Sequence, residues 1–212
     1  AVGCMLEFCP EELIYAAGML PVGLWGGETR LNRAKEYYPA FFCAPIQESL
    51  ELALQGAYDG VLSAVMVPIL CDALKSAGQN WRVAVPHIPM IPVVYPQKRH
   101  TQTGQDFLRS ELEQAREKLE QVCGHPITAE EIQQAIQVYN RYRLAMQEFA
   151  RQAALHTDMV TPTLRHCVYQ CGFYRDKGDY TAVVEELTQA LKQLPERQGG
   201  RRVALTGIAL DS

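Results

Sequence analysis

Hydrophobic positions in the first hundred residues alternate between short apolar runs and segments of helical periodicity. Between the apolar runs, helices are predicted at Pro10–Ala17, Pro45–Gln55 and Cys71–Ala77, each followed by a glycine that would end it, the last of these being Gly78. Such alternation predicts the α/β class, with an open parallel sheet flanked by helices, of the Rossmann or flavodoxin-like type. The predicted strands are Ala1–Leu6, Leu20–Trp25, Val61–Val67, Arg82–Val85 and Met90–Val94.

The sequence changes character from about Gln105, where it becomes charged, rich in glutamine and helically periodic. Thr128 and Glu131 have the spacing of a capping box, so a helix is predicted to begin there. Two further helices are predicted at Thr161–Cys171 and Tyr180–Leu194. The predicted organisation is an α/β domain at 1–100, a helical segment at 101–197, and at 198–212 the first strand (Arg202–Gly207) of a second α/β domain, as in a fragment or interrupted version of a longer protein.

Charge and composition exclude several classes of protein. The net charge of −4 and the lack of a basic stripe argue against a nucleic-acid partner. The longest apolar run, Val61–Leu70, has ten residues and contains Pro68, which is too short to span a membrane. Seven cysteines, an odd number, occur without an export signal, so we expect a reducing cytoplasm and no disulfide framework.

Two of these cysteines occupy positions where a metal could bind. Cys43 and Cys71 are 28 residues apart, and each is predicted at a junction between a strand and a helix. In a parallel sheet these junctions meet at the carboxyl edge, where open α/β folds bind ligands. Amides at a helix N-terminus favour a thiolate over a thiol. Position alone leaves two interpretations open for both cysteines, buried filler or metal ligands.

The remaining cysteines are interpreted as structural. Cys4 and Cys9 are predicted near the same edge, and Cys123 precedes a glycine at a helix end. Cys167 and Cys171 form an i, i+4 pair that could hold a metal, but no second Cys or His pair has zinc spacing, so packing is preferred. Glu12 is either an acid–base carboxylate or an ordinary acid in a first helical turn, and the second interpretation is favoured.

Several short motifs occur in order along the chain. They are Glu11–Pro21 after Pro10, Trp25-Gly26-Gly27, Phe42-Cys43, Cys71-Asp72, Gly124–Thr128, Asn140–Arg143 and Val203–Gly207. Together they resemble the motifs of the 2-hydroxyacyl-CoA dehydratase and benzoyl-CoA reductase superfamily. The Trp-Gly-Gly and Cys-Asp-Ala-Leu-Lys details are most similar to the β subunit of a 2-hydroxyglutaryl-CoA-type dehydratase.

The resemblance implies that Cys43 and Cys71 are two of the three protein ligands of a [4Fe–4S] cluster, the third lying in a second α/β domain outside this chain. It implies a lyase of anaerobic amino-acid fermentation that eliminates water from a 2-hydroxyacyl-CoA through a ketyl radical. Its expected partners are a homologous α subunit, an ATP-dependent iron–sulfur activator protein and the acyl-CoA. The resemblance assigns no catalytic side chain.

Two alternatives remain open at this point. One is a related ATP-dependent iron–sulfur reductase, either benzoyl-CoA reductase-like or of the double-cubane type. The other is a truncated, non-catalytic binding or scaffold protein. With two of three thiolate ligands present, we expect the isolated chain to retain no cluster stably and to have no dehydratase activity.

Overall fold

A computed structural model describes residues 1–6 and 8–197 of the protein. Four parallel strands form one sheet: β1 (Val2–Met5), β2 (Pro21–Leu24), β3 (Ala64–Ile69) and β4 (Met90–Val94). The strand order is β2-β1-β3-β4, so β1 lies between β2 and β3 and pairs with both. This order is that of flavodoxin-like sheets and confirms the predicted α/β class.

Helices cover both faces of the sheet, as a doubly covered parallel sheet requires. The helices α1 and α4 pack on one face, and α2 and α3 pack on the other. The described residues form α1 (Glu11–Ala16), α2 (Ala44–Leu54), α3 (Asp72–Ala84), α4 (Gln102–Cys123), α5 (Ala129–Leu155), α6 (Pro162–Cys171), α7 (Lys177–Lys192) and a short 3₁₀ helix at Arg33–Glu36.

The side chains of the central strands alternate between the two faces, because successive residues of a strand point in opposite directions. In β3, Val65 and Val67 contribute to the core under α2 and α3. Ala64 and Met66 contribute to the core under α1 and α4. All four are fully buried, and burial of a Val or Met side chain contributes about 1.5–3 kcal/mol.

The predicted strand at Arg82–Val85 is wrong, and so is the predicted helix stop at Gly78. Helix α3 continues through Gly78 to Ala84, so Arg82–Ala84 is its last turn. Gly78 is there for close packing: a Cβ at this position would lie 2.9 Å from Cε of Met90 in β4. The buried Trp81, whose Nε1 donates to the carbonyl of Ile88 at 3.0 Å, ties this last turn to the segment before β4.

The helical segment begins with α4, which packs against the sheet, and continues with α5 and α7, which pack against each other. The capping box of Thr128 and Glu131 is present at the start of α5, as predicted. Helix α7 begins at Lys177, three residues before the predicted start at Tyr180, because the Asp176 side chain caps it. The predicted strand at Arg202–Gly207 lies outside the described residues, and the division of the chain at residue 100 stays a prediction.

A buried ion pair joins the helical segment to the sheet. The Lys177 side chain is 4% exposed, and its Nζ lies 3.1 Å from Oε2 of Glu11 in α1. The same ammonium donates to the carbonyl of Gly172, and it lies over the ring of Tyr139 in α5. The Tyr139 hydroxyl donates to Glu11 at 3.0 Å. One buried charge therefore connects α1, α5 and the start of α7.

A second contact joins the two parts along the edge of the sheet. The amide of Gly23 in the edge strand β2 donates to the carbonyl of Phe173 at 2.9 Å. The rings of Trp25 and Phe173 pack with centroids 5.0 Å apart. The segment between α6 and α7 thus covers part of an edge that would otherwise expose unpaired backbone groups.

Within the described ranges, no helix is long and apolar enough to cross a bilayer.

Replacement of Lys177 by Met tests the buried ion pair. Removal of one partner leaves Glu11 with an uncompensated charge, so we expect the free energy of unfolding to fall by about 3 kcal/mol. The double variant Glu11→Gln with Lys177→Met should recover part of this loss. Urea unfolding followed by circular dichroism measures both values.

The matched control is Arg141→Met, which removes a pair with Glu185 that is largely exposed to solvent. Exposed ion pairs contribute little to stability, so this variant should unfold close to the wild type. Equal losses in the Lys177 and Arg141 variants would contradict a structural role for the buried pair.

Candidate metal centre

Cys43 is the residue immediately before α2, at its N-cap position. Its side chain is exposed, and it makes no capping hydrogen bond with the helix. The turn that carries it is fixed from within α2, because Nε2 of the buried Gln47 donates to the carbonyl of Phe42 at 2.7 Å. The thiol therefore faces solvent from a backbone that is held in place.

Cys71 occupies the equivalent position before α3. It lies two residues beyond the end of β3 and is also exposed. The amide of Leu74, in the first turn of α3, donates to Sγ of Cys71 at 3.5 Å. This is the contact expected of a helix N-terminus that stabilises charge on sulfur.

The topology places both cysteines at the carboxyl edge of the sheet. Helix α2 leads to the start of β3 and helix α3 to the start of β4, so both helices begin at the edge where parallel strands end. Both helices pack on the same face, in one hydrophobic core. The arrangement is the one that open α/β folds use for ligands. The role of Cys43 and Cys71 as ligands stays a prediction.

The long connection from β2 to Cys43 is held by a buried carboxylate that the sequence analysis did not identify. Oε2 of Glu51 in α2 accepts the amides of Asn32 at 2.9 Å and Ala34 at 2.8 Å. Oε1 of Glu51 accepts from Nε2 of Gln55 at 3.2 Å. Burial opposes ionisation of this 1%-exposed residue, but these donors outweigh it and lower the pKa of Glu51.

The Trp-Gly-Gly motif lies in the same connection and contacts the same helix. Gly26 has a φ of 84°, and a Cβ there would lie 2.3 Å from Oε2 of Glu48. The amide of Gly27 donates to that same oxygen at 3.2 Å. Glycine is required at position 26 both for its left-handed backbone and for this close approach. No sequence signal identified Glu48 for this role, because its contact with Gly27 joins residues 21 positions apart.

Helix α3 holds the other side of the connection. The Tyr38 hydroxyl donates to the carbonyl of Ala77 at 3.1 Å, and Nδ2 of Asn80 donates to the carbonyl of Tyr37 at 2.5 Å. Burial raises the pKa of Tyr38, so its hydroxyl remains a donor. The residues before Cys43 are thus fixed to α3, the helix that Cys71 caps.

Apolar side chains are exposed beside each of the two cysteines. Phe41 is 82% exposed and Leu70 is 45% exposed, and they precede Cys43 and Cys71 by two residues and one residue. Phe8, in the loop that follows β1 at the same edge, is 65% exposed. Exposed apolar groups around polar ligands are typical of sites that exclude water when covered.

The donor chemistry of this edge fits an iron–sulfur cluster, but the number of donors is incomplete. Two thiols at helix N-termini, one already accepting an amide, match the ligands and hydrogen bonds that such clusters use. The described part of the chain contains no group of three or more His, Cys, Asp or Glu residues placed to hold a metal. If Cys43 and Cys71 are ligands, as predicted, a third ligand would have to come from outside the described residues.

Other candidate residues have structural partners or lie elsewhere. Glu12, in the first turn of α1, pairs with Arg143 of α5, as expected of an ordinary first-turn acid. The thiol of Cys123 donates to the carbonyl of His125 at 3.3 Å.

A groove of about 400 Å³ lies between α1, α4 and α5, on the face of the sheet opposite α2 and α3.

Comparison with known proteins identifies the family. A family model described as 2-hydroxyglutaryl-CoA dehydratase, D-component, matches residues 7–212, and the chain belongs to this family. The chain is 43% identical to the (R)-phenyllactyl-CoA dehydratase beta subunit of Clostridium sporogenes, over 100% of this chain and 57% of that protein. The resemblance seen in the motifs is thereby confirmed.

Two further relatives have lower sequence identity to the chain. The chain is 38% identical to the (R)-2-hydroxyglutaryl-CoA dehydratase subunit beta of Acidaminococcus fermentans, over 98% of this chain and 55% of the relative. It is 30% identical to a benzoyl-CoA reductase subunit of Thauera aromatica, over 97% of this chain and 54% of the relative. The chain thus spans about half the length of these relatives.

Replacement of Glu51 by Gln tests whether this carboxylate holds the connection to Cys43. A neutral amide accepts more weakly and brings donors to a site that needs only acceptors, so we expect a loss of about 2–3 kcal/mol in the free energy of unfolding. Because the folded pKa of Glu51 is lowered, its contribution is present above the unfolded pKa and is lost as the pH falls through the folded value. The difference between the two proteins should therefore shrink on acidification below roughly pH 4.

The matched control is Glu48→Gln, on the same helix, which affects a single hydrogen bond to the half-exposed connection. Its effect should be smaller than that of Glu51→Gln at neutral pH. Urea unfolding across the pH range measures both variants, and a difference for Glu51→Gln that does not change with pH would contradict an ionised Glu51.

Proposed function

We propose that this chain provides the cluster-binding half of a β-type subunit of a 2-hydroxyacyl-CoA dehydratase. The observation that carries the proposal is the placement of Cys43 and Cys71 at the N-termini of two neighbouring helices on one sheet edge. Family membership supports it, because the relative with 43% identity is named as a dehydratase beta subunit. A lyase reaction is the proposed activity of the whole protein.

In this proposal Cys43 and Cys71 hold two irons of a [4Fe–4S] cluster. When bound, such a cluster supplies a low-potential electron and an open iron that can bind a thioester or hydroxyl oxygen. The amide of Leu74 stabilises negative charge on the sulfur of Cys71. Glu51 keeps the residues before Cys43 in place, and the exposed side chains of Phe41 and Leu70 exclude water once the site is covered.

The proposed substrate is a 2-hydroxyacyl-CoA, and the proposed partners are a homologous α subunit and an ATP-dependent iron–sulfur activator. The two dehydratase relatives are named for phenyllactyl-CoA and 2-hydroxyglutaryl-CoA, which share the 2-hydroxyacyl thioester. The word "beta" in both names supports an α partner. The odd number of cysteines, seven, supports a reducing cytoplasm as the proposed compartment.

A reductase of the same superfamily is the second candidate function. The 30% identity to a subunit of benzoyl-CoA reductase supports it. The dehydratase is preferred because its beta subunits are more similar to this chain, at 43% and 38% identity. A non-catalytic scaffold would keep the fold without a need for two exposed thiols at the carboxyl edge.

Anaerobic reconstitution tests the proposal. The reduced chain is incubated with iron and sulfide, with and without an excess of a small thiol that can occupy the vacant iron positions. We expect iron to be retained with the small thiol and mostly lost without it, because the chain itself supplies two thiolates. Iron and sulfide analysis and electron paramagnetic resonance after reduction provide the readout.

The variants Cys43→Ser and Cys71→Ser should each reduce the retained iron several-fold. Cys167→Ser is the matched control, because Cys167 is equally exposed but lies on α6. Equal amounts of retained iron in all three variants would contradict the assignment of Cys43 and Cys71 as iron ligands. A stable four-iron cluster without added thiol would instead show that another residue of this chain completes the site.

A further inference from the structure

Cys4 and Cys9 lie next to each other on the other face of the sheet. Cys4 is in β1, is 2% exposed and belongs to the core under α1 and α4. Cys9 is half-buried and comes just before α1. The thiol of Cys9 donates to the carbonyl of Met66 at 3.5 Å, and Met66 is the residue paired with Cys4 in the β1–β3 register. The Cys9 sulfur is therefore held directly beside Cys4.

The neighbouring Cys9 thiol, together with burial and the nearby Glu11, raises the pKa of Cys4 well above that of an ordinary thiol. Cys4 thus stays protonated in the folded protein, whereas Cys9 is the member of the pair that solvent reaches. The difference in exposure gives the two sulfurs different roles in any reaction with a dissolved reagent.

Left-handed backbone occurs between the two cysteines. Leu6 and Phe8 have φ angles of 60° and 67°. Large side chains seldom adopt left-handed backbone, and where they do so the conformation is associated with functional sites.

We propose that Cys4 and Cys9 are a redox-active dithiol that forms a reversible disulfide when the protein meets a hydroperoxide. In the first step the Cys9 sulfur attacks the peroxide, and the O–O bond breaks. Cys9 becomes a sulfenic acid, and water or an alcohol leaves. In the second step the Cys4 sulfur attacks the Cys9 sulfur, an S–S bond forms and the S–O bond breaks. The departing hydroxide takes the Cys4 proton and leaves as water.

The structure favours this sequence of steps over further oxidation of Cys9. A sulfenic acid with no neighbouring thiol proceeds to the irreversible sulfinic acid, whereas an adjacent thiol captures it. Cys9 already lies beside Cys4, against the β3 residue that pairs with it, so capture needs no rearrangement of the sheet. A thiol reductant then restores both thiols. This dithiol does not depend on the proposed function, because neither cysteine is a proposed iron ligand.

Stepwise oxidation of the reduced full chain tests the dithiol. Hydrogen peroxide is added in increments, free thiols are blocked by alkylation, and the peptides are mapped without reduction. We expect a peptide that links Cys4 to Cys9, lighter by two hydrogen atoms than the reduced pair, which disappears after treatment with dithiothreitol. In Cys4→Ser, Cys9 should carry added oxygen and no link should form.

The variant Cys9→Ser is the matched control, since buried Cys4 should then stay unoxidised at the same dose. The exposed Cys167 reports the dose within the same digest. Two outcomes overturn the proposal: Cys4 and Cys9 remain free thiols when Cys167 is oxidised, or Cys9 of the wild type acquires oxygen as readily as in Cys4→Ser. Cys4→Ala replaces Cys4→Ser if circular dichroism shows that serine prevents folding.

Discussion

The buried ammonium of Lys177 is the constraint on which the arrangement of the helical segment against the sheet depends. A charge removed from water must be paired and hydrogen-bonded, or the folded state loses several kcal/mol. The partners of Lys177 are Glu11 on α1, the carbonyl of Gly172 and the rings of Tyr139 and Tyr142 on α5. They come from three separate parts of the chain, so the charge is satisfied only when all three have assembled.

A second buried charge, a negative one, lies in the connection that leads to Cys43 at the carboxyl edge of the sheet. It must also be hydrogen-bonded. The carboxylate of Glu51 is buried, and backbone amides of Asn32 and Ala34 satisfy it. The connection also contributes Ala34, Tyr38 and Phe42 to the core, and Glu51 fixes its backbone at Asn32 and Ala34. Buried charges seldom add net stability, but they penalise every arrangement that leaves them unpaired. We infer that Glu51 specifies the position of Cys43 in this way.

Local patterns in the sequence predicted most of the sheet and the start of α5, because strand length, capping residues and apolar runs are local properties. They failed at Gly78, where contact with Met90 rather than backbone freedom explains the glycine. Lys177 and Glu51 were not predicted, because charged residues on helices are usually solvated and their partners lie far away in sequence. The position of Cys71 at a helix start was predicted because strand β3 ends two residues before it. Cys43 also lies at a helix start, as predicted, but a long connection and not a strand comes directly before it. The proximity of Cys4 and Cys9 could not be predicted in this way, because Leu6 and Phe8 between them have left-handed backbone, which neither residue type signals.

The two cysteine pairs show how burial and separation decide the chemistry of a thiol. Cys43 and Cys71 are exposed and begin separate helices, so an inorganic group can enter between them. Cys4 and Cys9 lie side by side, which favours a bond between the sulfurs. The sheet separates the pairs, with α2 and α3 on one face and α1 on the other. If both proposals hold, an oxidant can react with the dithiol without passing through the proposed metal site, and the two thiol chemistries need not interfere.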